Sequence, residues 1–164
     1  MNHKYNRFPY TKILVVCSVN TARSRMSEGF LRDFFSRNAM NISVSSGGIA
    51  SNARDGMLIS LDAKLVMKEI GIPLSDDSLS VDLKKHPELV QEADLILALT
   101  EKHKEEIYYH FKLKNKDIFT LREFAGKNGD IEDPSMKGFE GFRKARDEII
   151  NCIVEGMKRF ELNI

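Results

Sequence analysis

An apolar run with no polar face has to be covered from two sides. KILVVC, Lys12–Cys17, is such a run: beyond Lys12 no side chain before Ser18 prefers water. It is too short for a buried helix and half of it is β-branched, Ile13, Val15 and Val16, so it reads as a strand hidden on both faces. ADLILALT, Ala93–Thr100, is a second strand of that kind. Strands buried on both sides need helices above and below, and the intervening sequence supplies them.

Met26, Phe30 and Phe34 recur every four residues, marking one face of a helix over about Ala22–Phe35. NISVSSGG, Asn41–Gly48, reads as a short strand ending in a Gly-Ser turn. A second helix is expected over Ser60–Ile70, with Leu61, Leu65, Val66 and Ile70 inward and Gly71 as its stop. Pro87 opens a short helix after His86. A helix over Glu101–His110 and a strand over Asp117–Leu121 follow, then a Gly-, Asp- and Pro-rich loop over Ala125–Gly138. The last helix spans Phe139–Phe160, with Phe142, Ala145, Ile149, Ile153, Met157 and Phe160 inward. The pattern predicts one α/β domain, residues 11–164, behind an N-terminal extension of residues 1–10.

The chain's 164 residues suffice for one core, and its formal net charge of +1 gives no footprint for nucleic acid or an anionic membrane. No segment approaches the ~18 apolar residues of a membrane span or shows a signal-peptide core. A cytoplasmic protein is expected, with its two cysteines, Cys17 and Cys152, unpaired. His103 and His110, seven apart, read as surface residues rather than metal ligands, and His3 and His86 belong to the terminus and a turn. Tyr108 and Tyr109 read as packing or surface side chains.

Cys17 ends the first strand, and in open parallel sheets ligands bind at that edge. Ser18, Val19, Asn20, Thr21, Ala22 and Arg23 lead into the helix, so their amides can curl around an anion at its N-terminus. The same field favours a thiolate there. Arg23 offers a planar fork to two phosphoryl oxygens, and Ser24 a hydroxyl to the sulfur. No Gly-Lys-Ser/Thr follows, which excludes a nucleotide P-loop. An acid for the leaving atom is available in DIEDPSMKG, where Asp130, Glu132 and Asp133 are candidates and Pro134 restrains the residue before it.

Taken together, these segments resemble the low-molecular-weight protein tyrosine phosphatase family over roughly Thr11–Phe160. Cys17-x5-Arg23-Ser24 is similar to its signature loop, SRMSEGFL to its next helix, SSGG to its second-strand turn, EADLILALTEKHKEEI to its third-strand segment and EDP to its acid loop. The resemblance implies a three-layer sandwich with a four-stranded parallel sheet in the order 2-1-3-4. It implies that Cys17 attacks phosphorus to form a phosphocysteine, that Arg23 and the amides of residues 18–23 hold the oxygens, and that Asp133 is general acid and then base, with no metal or cofactor. Asn20, Ser24 and Ser46 match positions that brace the loop. Asp77 sits about where a histidine usually supports the asparagine. A phosphorylated protein is the implied partner, with a monomer or weak dimer as the working form.

Departures from the family pattern concern the substrate. Val19 stands where glycine is usual, and Ala22 where a second cysteine is common. The rim expected from Thr21, Ile49, Ser135 and Met136 has no aromatic residue to stack on a phosphotyrosine ring. Thr21 and DIFTLREFAG resemble the protein-arginine phosphatase branch, and a hydroxyl suits the flat polar head of phosphoarginine. Arsenate reductases share fold and loop but pass a disulfide along further cysteines. Here only Cys152 remains, inside a helix and among inward residues. A non-catalytic phosphoprotein-binding module would need neither Cys17 nor Asp133.

Overall fold

In the computed structural model, which describes residues 8–160, strands β1 (Lys12–Cys17), β2 (Ser43–Gly48), β3 (Leu95–Ala98) and β4 (Asp117–Thr120) form one parallel sheet in the order β2-β1-β3-β4. Helices α1 (Arg23–Arg37), α2 (Leu61–Glu69), α3 (Pro87–Glu92), α4 (Glu101–His110), α5 (Leu121–Phe124) and α6 (Gly138–Lys158) cover it. The expected α/β architecture and strand order are those observed.

Alternation along β1 divides the core. Ile13, Val15 and Cys17 join a large layer with Met26, Phe34, Phe124, Ile149 and Ile153, on the side of α1, α5 and α6. Leu14 and Val16 join the other layer with Leu83, Val90, Ile96 and Ile107, on the side of α3 and α4. Register then sets the site: Cys17 pairs with Gly48, and Val16 with Ala98, so the nucleophile candidate ends the sheet beside the β2 turn.

Three expectations change. Of the four residues expected inward on the second helix only Val66 is buried; Leu61 is 65% exposed, and Leu65 and Ile70 also face solvent. Ser60 caps α2 through the Ala63 amide, and the buried stripe is the narrower Ala63–Val66–Met67, held by Arg146 of α6 on the Val66 carbonyl at 2.8 Å. The fourth strand stops at Thr120 because Thr120 and Glu123 form a reciprocal capping box that starts α5, a helix the periodicity did not suggest. Phe8 and Tyr10, within the expected extension, are buried against Phe160, and Phe8 also meets Phe35. Residues 1–7 and 161–164 lie outside the described residues. No described helix is long and apolar enough to cross a membrane.

Candidate active site

The loop from Ser18 to Ala22 turns back on itself through one residue. Asn20 has φ 63°, in the left-handed region that asparagine tolerates better than most side chains. Val19 is not among the positive-φ residues, so a β-branched side chain is compatible with the loop at the position where glycine is usual. The room comes from elsewhere. A Cβ on Gly48 would lie 2.7 Å from the Ser18 carbonyl oxygen and 3.0 Å from Val19 Cα, so β2 must end in glycine for the loop to cross it. The Ile49 and Ala50 amides then donate to the Cys17 and Ser18 carbonyls at 3.1 and 3.0 Å.

Asn20 organises the floor. Its side-chain amide donates to Ser24 Oγ at 2.8 Å and to Ser46 Oγ at 2.9 Å, and its Oδ1 accepts from the Val81 amide at 3.0 Å. Its own backbone N–H donates to Cys17 Sγ at 3.2 Å. Ser24 Oγ lies 2.9 Å from the same sulfur. Since Ser24 already accepts from Asn20, its single hydroxyl proton is free to point at Sγ. Two donors thus converge on the sulfur, the arrangement a thiolate needs.

The chain of bonds continues outward. Ser46 donates to Glu28 Oε1 at 3.0 Å, and Glu28 lies 3.8 Å from Arg25 and 3.3 Å from Arg32. Burial lowers the Arg25 pKa, and the Glu28 carboxylate opposes that shift. Asp77, expected to support Asn20, is exposed instead; its amide meets Ser75 Oγ, while Ser24, Ser46 and Val81 occupy the Asn20 side chain.

The anion side of the loop is left open. Ala22 is the N-cap of α1 and supplies no side-chain acceptor, so the first amides of that helix remain for a ligand. Arg23 is buried, and its Nη1 donates to the Ile131 carbonyl at 2.8 Å. Ile131 in turn donates its amide to the Leu99 carbonyl at 3.0 Å, tying the acid loop to the end of β3. One guanidinium therefore joins the cradle to the loop that carries the three acid candidates.

Among the three acid candidates, two are engaged. Asp130 accepts from the Glu101 amide at 2.9 Å, and Glu132 is paired with Lys137. Asp133 accepts from Ser135 alone, from its amide at 2.9 Å and from its side chain, among the described residues. Partial burial pushes its carboxyl up, but Ser135, Arg23 and His103 together hold it below the ordinary carboxylate range.

The rim is partly corrected. Thr21 is half-buried and its carbonyl accepts from the Ser60 amide at 2.9 Å; Ser135 and Met136 are exposed. Ile49 is fully buried in the α3–α4 layer and cannot meet a substrate. Cys152 is fully buried on α6, where desolvation pushes its thiol up.

Sequence reasoning missed Gly48, Glu28 and His103. Glu28 drew no reading of its own; with Arg32 four residues on, its local sequence resembles that of an ordinary exposed helix pair. His103, read as surface, is 2% exposed, and its Nε2 lies 2.8 Å from Ser18 Oγ. Its signal was Ile107 four residues on, the other buried residue of α4.

Residues 12–160 match the family model described as low molecular weight phosphotyrosine protein phosphatase. The chain is similar to a protein-arginine-phosphatase of Geobacillus stearothermophilus, 38% identical over 146 residues that cover 88% of this chain and 92% of the relative. Among solved structures it is similar to a low molecular weight protein tyrosine phosphatase from T. tengcongensis, with TM-score 0.82, 30% identity and coverage of 91% of this chain and 99% of that one. It is also similar to a mutant YwlE arginine phosphatase with a phosphorylated active-site serine, at TM-score 0.81, 30% identity and coverage of 91% and 95%. A match over nearly the whole described fold, with the signature cysteine, arginine and serine gathered at one strand end, places the chain in the low molecular weight phosphotyrosine protein phosphatase family.

Proposed function

We propose that this protein phosphatase works through Cys17, Arg23 and Asp133, and that it prefers phosphoarginine to phosphotyrosine. The Cys17 thiolate attacks phosphorus while the bond to the leaving nitrogen or oxygen breaks, and Asp133 gives that atom its proton. Water then attacks the phosphocysteine, Asp133 takes the proton, and phosphate leaves with the thiolate restored. Arg23 and the amides of residues 18–23 hold the equatorial oxygens as charge builds. The observation that carries this reading is the pair of donors on Cys17 Sγ, Ser24 Oγ at 2.9 Å and the Asn20 amide at 3.2 Å, beside an arginine fixed to the acid loop.

Neither rival has such support. A phosphoprotein-binding module has no use for two donors aimed at a sulfur. An arsenate reductase needs a second thiol within reach, and Cys152 is sealed in the core.

The preference for phosphoarginine rests on Thr21 in the cradle and on a rim with no aromatic residue among Thr21, Ser135 and Met136. A flat guanidinium head gains from a hydroxyl and loses little without a ring to stack on. The reading carries with it a cytoplasmic setting, where Cys17 stays reduced, and a monomer or weak dimer acting on phosphorylated proteins.

The test compares kcat/KM on matched phosphoarginine and phosphotyrosine peptides for the wild type and Thr21→Ile. The wild type is expected to favour phosphoarginine, and Thr21→Ile to move the ratio toward phosphotyrosine by roughly tenfold, the scale of one or two polar contacts. An unmoved ratio removes Thr21 from the argument.

A further inference from the structure

His103 has no part in the steps above, yet it is buried against the cradle. It lies in the first turn of α4, where its amide donates to Thr100 Oγ1 at 3.1 Å and the neighbouring Glu101 amide donates to Asp130. That double cap fixes the helix start. The ring's Nε2 is 2.8 Å from Ser18 Oγ, and its Nδ1 is buried with no hydrogen-bond partner among the described residues. Ser18 is the residue next to the nucleophile, and its hydroxyl has no other partner there.

The ring's protonation follows from its surroundings. Burial first, then the Arg23 and Lys102 cations, lower its pKa to about 4 against the opposing pull of Asp130 and Asp133. A neutral imidazole carries one N–H and one bare lone pair. A buried N–H with no acceptor is rarer than an acceptor left short, so the proton belongs on Nε2, where an oxygen waits. Ser18 Oγ then accepts, and its own proton is unused.

We propose that His103 is a positioning residue of this phosphatase: its Nε2–H holds Ser18 Oγ, sets the first residue of the anion cradle, and leaves the Ser18 hydroxyl proton for a phosphoryl oxygen. The inference rests on the reading of Ser18–Ser24 as the catalytic cradle. It makes His103 act through Ser18 and on binding of the phosphoryl group more than on bond breaking.

The experiment measures inorganic phosphate as a competitive inhibitor of aryl phosphate hydrolysis, with KM and kcat, in the wild type, His103→Ala, His103→Gln, Ser18→Ala and the double alanine variant. His103→Ala and Ser18→Ala are each expected to raise the phosphate Ki and KM about tenfold, with kcat within about threefold. The double variant should be no worse than Ser18→Ala alone, because the two residues form one unit. His103→Gln, whose amide can donate in place of Nε2, should recover Ki to within about twofold of wild type.

Nitrogen-15 shifts of the wild-type ring should show a neutral Nε2–H tautomer from about pH 5 to 8. Additive losses, an unchanged Ki, no recovery with glutamine, or a proton found on Nδ1 would each overturn the proposal. If His103→Ala does not fold, Ser18→Ala and the wild-type ring shifts still decide. Turnover surviving in Cys17→Ser would instead remove the cradle reading beneath it.

Discussion

Two loops are tied together by the Arg23 bond to Ile131, and both contain a non-glycine residue in the left-handed region: Asn20 at φ 63° in the cradle and Met136 at φ 68° in the acid loop. Their surroundings are opposite. Asn20 is fully buried, with its backbone amide and all of its side-chain polar atoms bonded to groups from three separate segments. Met136 is fully exposed, on a loop anchored by buried Ile131 and Pro134. On the reading proposed above, the nucleophile and Thr21 sit in a closed, over-determined loop, while Asp133, Ser135 and Met136 come from an open one, so the core constrains the first set and not the second.

The largest expected effects lie in the closed loop. Cys17→Ser should lower aryl phosphate turnover by about 10⁴-fold or more, since the other thiol, Cys152, is buried on α6 away from the cradle and a serine hydroxyl is a far weaker nucleophile than a thiolate. Arg23→Ala should cost roughly 10²–10³, as loss of an oxyanion donor does, and somewhat more if the acid loop drifts once Ile131 is released. Steady-state hydrolysis with matched folding controls checks both. Substantial activity in Cys17→Ser would mean that the converging donors serve something other than a thiolate.

Asp133 tests whether the open loop contributes chemistry as well as contact. Asp133→Ala should slow poor leaving groups by ~10²–10⁴ and good ones far less. The carboxyl is held below its ordinary value in the free protein, so it is largely ionised near neutrality. The proton-donating form grows as pH falls, and kcat/KM for a poor leaving group should rise toward acid in the wild type. That limb should be flat in Asp133→Asn. A limb that persists would assign the proton to another group.

Much of this was legible in the chain. β1 and β3 announced themselves because burial on both faces leaves an apolar run no alternative, and Cys17-x5-Arg23-Ser24 followed from where the first run ends. What was not legible depends on long-range contact. Leu61 and Leu65 are as apolar as Val66, and only the position of α6 decides which of them it covers. Gly48 looked like a turn residue until the loop from Ser18 was seen to cross it. Asp77 was placed by analogy of position, and Ser24 and Ser46 take the Asn20 amide protons that an aspartate would accept. His103 and Glu28 are polar residues whose burial is set by partners 85 and 18 positions away, a separation no local pattern encodes.

A smaller effect bears on the floor of the closed loop. Asn20→Ala leaves Ser46 and the Val81 amide without that partner and puts a Cβ-bearing residue other than asparagine at positive φ. Loss of stability should be about 2–4 kcal/mol, from unpaired buried groups plus backbone strain. Turnover should fall with it, because Ser24 loses the amide that orients its hydroxyl toward Sγ. Denaturant unfolding and kcat measured on the folded fraction separate the two.

The smallest effect is the sharpest test of the contrast, because the same substitution is made in both loops. A left-handed conformation costs an ordinary side chain roughly 1–2 kcal/mol, and glycine escapes that cost. Glycine also loses more backbone entropy on folding, by roughly 0.5–1 kcal/mol. Met136→Gly should therefore stabilise the protein by about 0.5 kcal/mol and leave small aryl phosphate turnover within about twofold, since an exposed side chain forfeits nothing by its removal. Asn20→Gly has the same backbone and the opposite outcome: asparagine already tolerates the conformation, and the side-chain bonds to Ser24, Ser46 and Val81 disappear. If unfolding showed Met136→Gly to be destabilised by as much as Asn20→Gly, the acid loop would be as closed as the cradle, and its freedom to set the substrate would go with it.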